Sequence, residues 1–294
     1  MLEPRLSLIG GCIAETLDPE EDPGCPDKKP PSTFSRPQAT ITDDYGNIYV
    51  SSYGKAENGS EGRIDVFCSD GTFVSELKTP GPTSMAVDGD GNLYVASYTL
   101  DKALLFAPDA PYSPEDCEIA YGSSPPAEAF EGVRIFTGIA INRDNDHLFA
   151  NHGGAGVVEY GSAEEGNPKL RTTAPSYGNG VGVAVDAAHD RMYATAGNNE
   201  ERIDIFDLNS LTSEDEYEVI GSILPSSVPE GNFGSQVSIA VDEGTGTVFV
   251  MSGVSCHLYE FDEDGNYLQT IPTSFVKCGN VGAEIGVDNG PFSP

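Results

Sequence analysis

One pattern recurs through most of this chain, and it limits the possible folds more than any other feature. ATITDDYGNIYVSSY at 39–53 matches SMAVDGDGNLYVASY at 84–98. The same order returns in GIAINRDNDHLFANH (138–152), GVAVDAAHDRMYATA (182–196) and SIAVDEGTGTVFVMS (238–252), and a sixth copy opens at Glu284 with EIGVDNG. The anchoring residues are Asp43, Asp88, Asn142, Asp186, Asp242 and Asp288, spaced 44 to 56 residues apart. Such spacing implies one supersecondary unit used repeatedly, with loops of variable length.

Each copy has the same internal order. A short apolar strand ends at the anchor, a polar turn follows, and a second strand such as NIYV, NLYV, HLFA, RMYA or TVFV comes next. A third strand follows in RIDVFC, KALLFA, GVVEYG, RIDIFD and HLYEFD, and a fourth in TFVSEL, YEVIGSI and NYLQTI. Four antiparallel strands per copy predict an all-β fold, a β-propeller of four-stranded blades. Two aromatic columns (Tyr49, Tyr94, Phe149, Tyr193, Phe249 and Phe67, Phe106, Tyr160, Phe206, Phe261) fit packing of blade on blade. The whole chain, 1–294, is expected to form one domain. Residues 1–36 would supply closing strands and a Pro-rich approach loop, 37–283 five repeats, and 284–294 the start of a truncated sixth. The expectation is therefore six blades, the last incomplete and closed by the N-terminal segment.

The Asp88–Asn92 stretch superficially resembles a calcium loop. An EF-hand loop beginning at Asp88 needs Gly at its sixth position and Glu at its twelfth. Leu93 and Thr99 stand there, and the similar loop from Asp262 has Tyr267 and Thr273. The Asp–Gly–Asn elements read as hairpin turns, in which Asp and Asn bond nearby amides and Gly takes positive φ. No dedicated cofactor or metal ligand set is expected; a divalent cation such as Ca2+ bound loosely by acidic turns is the alternative.

The net charge of −32, from 47 acidic against 15 basic residues, argues against a nucleic-acid partner because such a surface repels phosphate. No run of 18 apolar residues is present to span a membrane as a helix. Six cysteines form no CxxC pair and suit an oxidising compartment. A Cys256–Cys278 bridge is expected at the corner between the fifth repeat and the sixth copy, with Cys12–Cys25 as a weaker pairing. The protein is expected to be extracellular or secreted, with its export signal outside this chain. It is expected as a monomer or as part of a longer multidomain protein.

The pattern IAVD-x-x-G-N-[IL]-Y-V-A followed by R-I-D-[VI]-F-D resembles the NHL repeat, over residues 37 to 288. The chain departs from that repeat where an Asp commonly follows the second strand: Ser52, Ser97, His152, Ala196 and Ser252 stand there. The resemblance implies a six-bladed propeller, in a group that includes protein- and RNA-binding scaffolds, extracellular adhesion modules, amidating lyases, streptogramin lyase and calcium-dependent lactonases.

Function must be argued from the site rather than the fold. Loops entering the first strands and those joining second to third strands share one face, around the channel mouth. Small residues facing the axis (Ala39, Ser84, Gly138, Gly182, Ser238) are joined by a single charged one, Glu284. The same face should carry Arg36, Arg134, Asn179 and Gln236, with His152 beyond a second strand. Two readings follow. In the first, this is a non-catalytic scaffold binding a protein, peptide or glycan at those six residues, Arg36, Arg134, His152, Asn179, Gln236 and Glu284. In the second, it is a lyase or lactonase-type hydrolase, with His152 as base and Glu284 holding a divalent cation.

Overall fold

The computed structural model describes residues 34–271, apart from 56–57, 110–120, 122–125, 133–136, 153–155, 174–181, 197–201, 233–236 and 253–256. Blade 1 holds β1 (Pro37–Thr42), β2 (Ile48–Ser52), β3 (Arg63–Phe67) and β4 (Phe73–Lys78). Blade 2 holds β5 (Pro82–Val87), β6 (Leu93–Ser97), β7 (Lys102–Phe106) and β8 (Ala127–Glu131). In blade 3 the strands are β9 (Gly138–Asn142), β10 (His147–Asn151), β11 (Val157–Tyr160) and β12 (Lys169–Thr173). Blade 4 comprises β13 (Val183–Asp186), β14 (Arg191–Ala196), β15 (Arg202–Leu211) and β16 (Tyr217–Ile223). Blade 5 comprises β17 (Val237–Asp242), β18 (Thr247–Ser252), β19 (Leu258–Phe261) and β20 (Tyr267–Ile271). Every sheet is a four-stranded antiparallel meander, its strands neighbours in sequence order.

The blade count corrects the sequence expectation: the described residues form five blades, not six. The repeat count ran ahead because the last copy, EIGVDNG, carries only the first-strand motif. A motif copy with one strand's worth of pattern is not a blade. Both the N-terminal closing strands expected before residue 34 and that last copy lie outside the described residues.

Burial follows position in the blade. The second strands β2 and β6 are buried along their whole length, whereas the outer strands β4 and β20 are half-exposed. The core is divided among the seams between neighbouring blades. One cluster joins blades 4 and 5 (Tyr193, Ile205, Val241, Tyr259), and another joins blades 2 and 3 (Tyr94, Phe130, Ile141, Tyr160).

The second-strand aromatic column performs this joining. Tyr49 of blade 1 lies 3.1 Å from the Tyr121 hydroxyl, in the segment that follows β7. Asn167 of blade 3 donates its side-chain amide to the Tyr94 hydroxyl of blade 2 at 3.1 Å. Tyr193 of blade 4 donates to the Glu263 carbonyl in blade 5 at 3.0 Å. Blade 3 has Phe149 at this position and no hydroxyl to offer. There the direction reverses: Phe149 packs on Tyr217 of blade 4, whose hydroxyl donates back to Glu159 at 2.9 Å.

Each outer strand also carries a bulge, opposite the aromatic of the third strand in blades 1, 3, 4 and 5 and two residues earlier in blade 2. The register with its neighbour slips by one, leaving Val74, Ala129, Leu170, Ile220 and Leu268 as the extra residues. A bulge bends an edge strand and breaks its ladder, which limits pairing with another edge.

Candidate functional site

The inner strands β1, β5, β9, β13 and β17 surround an axial channel of about 150 Å³. It runs from Gly182 and Ser238 at the strand starts to Thr42, Arg143 and Glu243 at and beyond the strand ends. Its wall is largely aliphatic, with Ile41, Met85, Ile141, Val185 and Val241 among the lining residues. The expected column of small axial residues is thus only partly realised. Ser84, for one, uses its hydroxyl to accept the Ile139 N–H at 3.0 Å, which ties blade 2 to blade 3.

At the turn end of the channel one arginine spans three blades. Arg143 follows β9 and donates to Asp44, which follows Asp43 beyond the end of β1. Its other terminal nitrogen lies 3.9 Å from Glu243, which follows β17. Burial pushes the Glu243 carboxyl up to about 7; Arg143 opposes this, and Asp186, Asp44 and Asp144 add to it. Asp44 is also raised, by burial that outweighs the charge and hydrogen bond of Arg143. Sequence reading missed this trio, yet a signal existed. The position just after each anchor reads Asp44, Gly89, Arg143, Ala187 and Glu243, a column that alternates charge with small residues.

The residues expected to share the opposite face are placed as follows. Arg36 is exposed at the entrance to β1, stacks on the Tyr53 ring at 4.7 Å and donates its Nε to the Gly54 carbonyl at 2.8 Å. His152 is buried in the seam between blades 2 and 3, away from the channel lining. Its Nδ1 is 3.3 Å from the Gly132 carbonyl and its Nε2 3.3 Å from the Tyr160 hydroxyl, with Phe130 packed against the ring. The chain there supplies a packed histidine. Arg134, Asn179, Gln236 and Glu284 lie outside the described residues, as do Cys256 and Cys278 and Cys12 and Cys25. Cys68 is disulfide-bonded, to a cysteine outside the described residues.

Other motifs resolve into structure. In the two R-I-D elements the arginine clasps the aspartate two residues along the same strand face: Arg63 to Asp65 at 2.9 Å, Arg202 to Asp204 at 2.8 Å. The Asp88 turn is closed by its own amides: Oδ1 accepts the Asp90 and Asn92 N–H groups, and Oδ2 accepts the Asn92 side-chain amide. Among the described residues no group of three or more His, Cys, Asp or Glu is arranged to hold a metal ion, and no helix is long and apolar enough to cross a membrane.

No protein-family model and no curated protein matches the sequence. Solved structures do match in shape. A chain in the crystal structure of a nidogen/laminin complex is similar with a TM-score of 0.62 at 12% identity, covering 86% of this chain and 86% of that one. A functionally unknown protein from Desulfotomaculum acetoxidans is similar with a TM-score of 0.59 at 13% identity, covering 90% of this chain and 77% of that one. At such identities the likeness establishes the β-propeller fold alone.

Proposed function

We propose that this chain is a non-catalytic, NHL-like scaffold that binds a protein, peptide or glycan on the face carrying Arg36. The channel is the observation that carries this reading. At about 150 Å³ with an aliphatic wall and its charged mouth occupied by the Asp44–Arg143–Glu243 trio, it offers little room for a substrate. Small-molecule sites typically measure roughly 300–1,000 Å³ and converge several polar groups.

The opposite face offers better contact chemistry. Tyr98 and Leu100 are exposed there, on the loop joining β6 to β7. Thr99 of the same loop donates to the Asn58 carbonyl at 2.6 Å, and the Gly81 N–H donates to Gly59 at 2.8 Å, so the loops of blades 1 and 2 are knitted into one surface. Exposed Tyr and Arg side chains on a fixed surface are the usual anchors of protein interfaces. That a similar structure was solved as a nidogen/laminin complex is in keeping with a binding role. The Cys68 disulfide supports an extracellular or secreted setting.

The test is to screen the full chain against peptide and glycan arrays while assaying lactone and ester hydrolysis with and without Ca2+. Saturable binding that Arg36→Ala and Tyr98→Ala weaken, without turnover, is the expected result. Turnover that depends on the cation would overturn the scaffold in favour of a lyase or lactonase.

A further inference from the structure

Blade 4 is unlike its neighbours at the rim. Its outer hairpin is the longest in the described residues, with ten residues in β15 and seven in β16. Four large apolar side chains lie exposed along it: Leu211, Val219, Ile220 and Leu224, each between 46% and 49% accessible. The same hairpin carries Glu214, Asp215, Glu216 and Glu218 at or near its turn, and no Lys or Arg occurs between Arg202 and Lys277. Among the described residues, Arg202 at the start of β15 pairs with Asp204, and Arg171 of blade 3 reaches the turn, 3.3 Å from Asp215.

β16 ends its sheet, and no described strand pairs with its outer side. Edges of this kind are usually guarded by a Lys, a Pro or a very short strand. Three of the other four outer strands have a base on or beside them, and β20 has none. β4 ends in Lys78 and β12 carries Lys169 and Arg171; β8 is short and faces Lys102, which pairs with Glu128; β20 is short, with one large exposed apolar residue, Leu268. β16 shares the bulge, at Ile220, but it is the longest outer strand and carries two large exposed apolar residues, Val219 and Ile220, and acid, with no Lys or Arg of its own.

We infer that the β16 edge is a docking strand for an extended peptide segment alternating apolar residues with Lys or Arg, which adds to blade 4 as a fifth strand. Main-chain bonds to the outer side of β16, which no described strand pairs, would supply affinity, and alternate side chains would supply specificity. Apolar side chains of the guest would cover Val219 and Ile220, while its bases would meet Glu214, Glu216 and Glu218. Charge selects this occupant over a second copy of the chain, because two such hairpins would bring acid against acid, and like charges across paired strands destabilise them. The inference does not depend on what binds at the Arg36 face.

The probe is a blocked peptide of about eight residues alternating Lys and Val, long enough to lie along the strand at about 3.3 Å per residue. It is titrated into the full chain beside a Lys–Pro peptide of equal charge and a Glu–Val peptide. The Lys–Val peptide should bind saturably and slow amide exchange over residues 218–222. The Lys–Pro peptide, which lacks half the main-chain donors, should bind roughly tenfold more weakly, and the Glu–Val peptide not at all. A Glu218→Lys/Val219→Lys double variant, changed only at exposed positions, should lose roughly tenfold in affinity, whereas Leu268→Lys on blade 5 should not. Equal binding of Lys–Val and Lys–Pro peptides would overturn the inference by reducing it to bulk charge. So would undiminished binding by the folded double variant, or sedimentation showing that β16 pairs with a second copy. Arg36→Ala must leave this binding intact, which separates a failure here from a failure at the opposite face.

Discussion

The same five-residue turn occurs at Asp43, Asp88 and Asp262, and the last two copies sit in surroundings that could hardly differ more. Asp88-Gly-Asp-Gly-Asn92 joins the two innermost strands of blade 2, and Asp262-Glu-Asp-Gly-Asn266 joins the two outermost strands of blade 5. Their hydrogen bonds are the same in kind: Oδ1 takes the amides two and four residues on, and Oδ2 takes the Asn side chain. Their glycines hold the same positive φ, 81° at Gly91 and 83° at Gly265. Asp88 is buried, and burial drives its carboxyl up to about 6 against the opposing Asn92 bonds. At Asp262 burial is slight, and the combined donors of Asn266 and Asp264, with Arg191, bring the carboxyl below its ordinary value. Between these two copies the same bonding goes with a raised carboxyl where burial is deep, and with a lowered one where burial is slight and Arg191 is near.

The comparison is open to attack in several ways. Asp88→Ala leaves buried amide donors without their acceptor and should cost about 3 kcal/mol, against about 1 kcal/mol for Asp262→Ala, by urea unfolding. Equal losses would mean that burial does not set the value of this turn. The glycine reverses the ranking among outer turns. A methyl group on Gly265 would sit 2.9 Å from Ile223 of blade 4, while one on Gly71, in the matching turn of blade 1 with φ 85°, meets nothing within 4 Å. Gly265→Ala should therefore cost about 2 kcal/mol and Gly71→Ala, which bears the backbone strain alone, about 1 kcal/mol. Smaller again, Asn92→Ala should cost about 1.5 kcal/mol and Asn266→Ala about 0.5 kcal/mol in the same assay.

The smallest effect carries a sign. Folded Asp88 keeps its proton up to about pH 6. An unfolded Asp loses it near pH 3.9. Across that window the folded state holds more protons, so the contribution of Asp88 to stability falls as pH rises. Asp262, depressed when folded, contributes stability that is lost as pH falls through its folded value. Carboxyl carbon-13 titration should show Asp88 near 6 and Asp262 below the ordinary Asp range. Coincident titrations would refute the contrast.

Much of the fold was legible because the repeat states each strand in the same order, from Ile48-Tyr49-Val50 to Thr247-Val248-Phe249-Val250. The turns were legible for a local reason: Asp, Gly and Asn at fixed spacing close on themselves without help from elsewhere. Blade number was not, since one strand's worth of pattern at Glu284 does not make a blade. The channel trio was hidden because Asp44, Arg143 and Glu243 meet only when strands far apart in sequence share an axis. His152 misled for the opposite reason. Beside a glycine run it suggested an open position, but Phe130 and Tyr160 from two different blades enclose it.

Each blade here is a meander whose strands pair only with their neighbours in sequence. That arrangement has a kinetic meaning. Nearly every strand pair forms by closing a short segment, so the entropy lost at each step is small and hairpins can appear within roughly microseconds. A chain emerging from a ribosome can therefore complete one blade before the next is synthesised. What remains slow is the zipping of finished blades along their aromatic seams, each added onto a surface that its predecessor has already made.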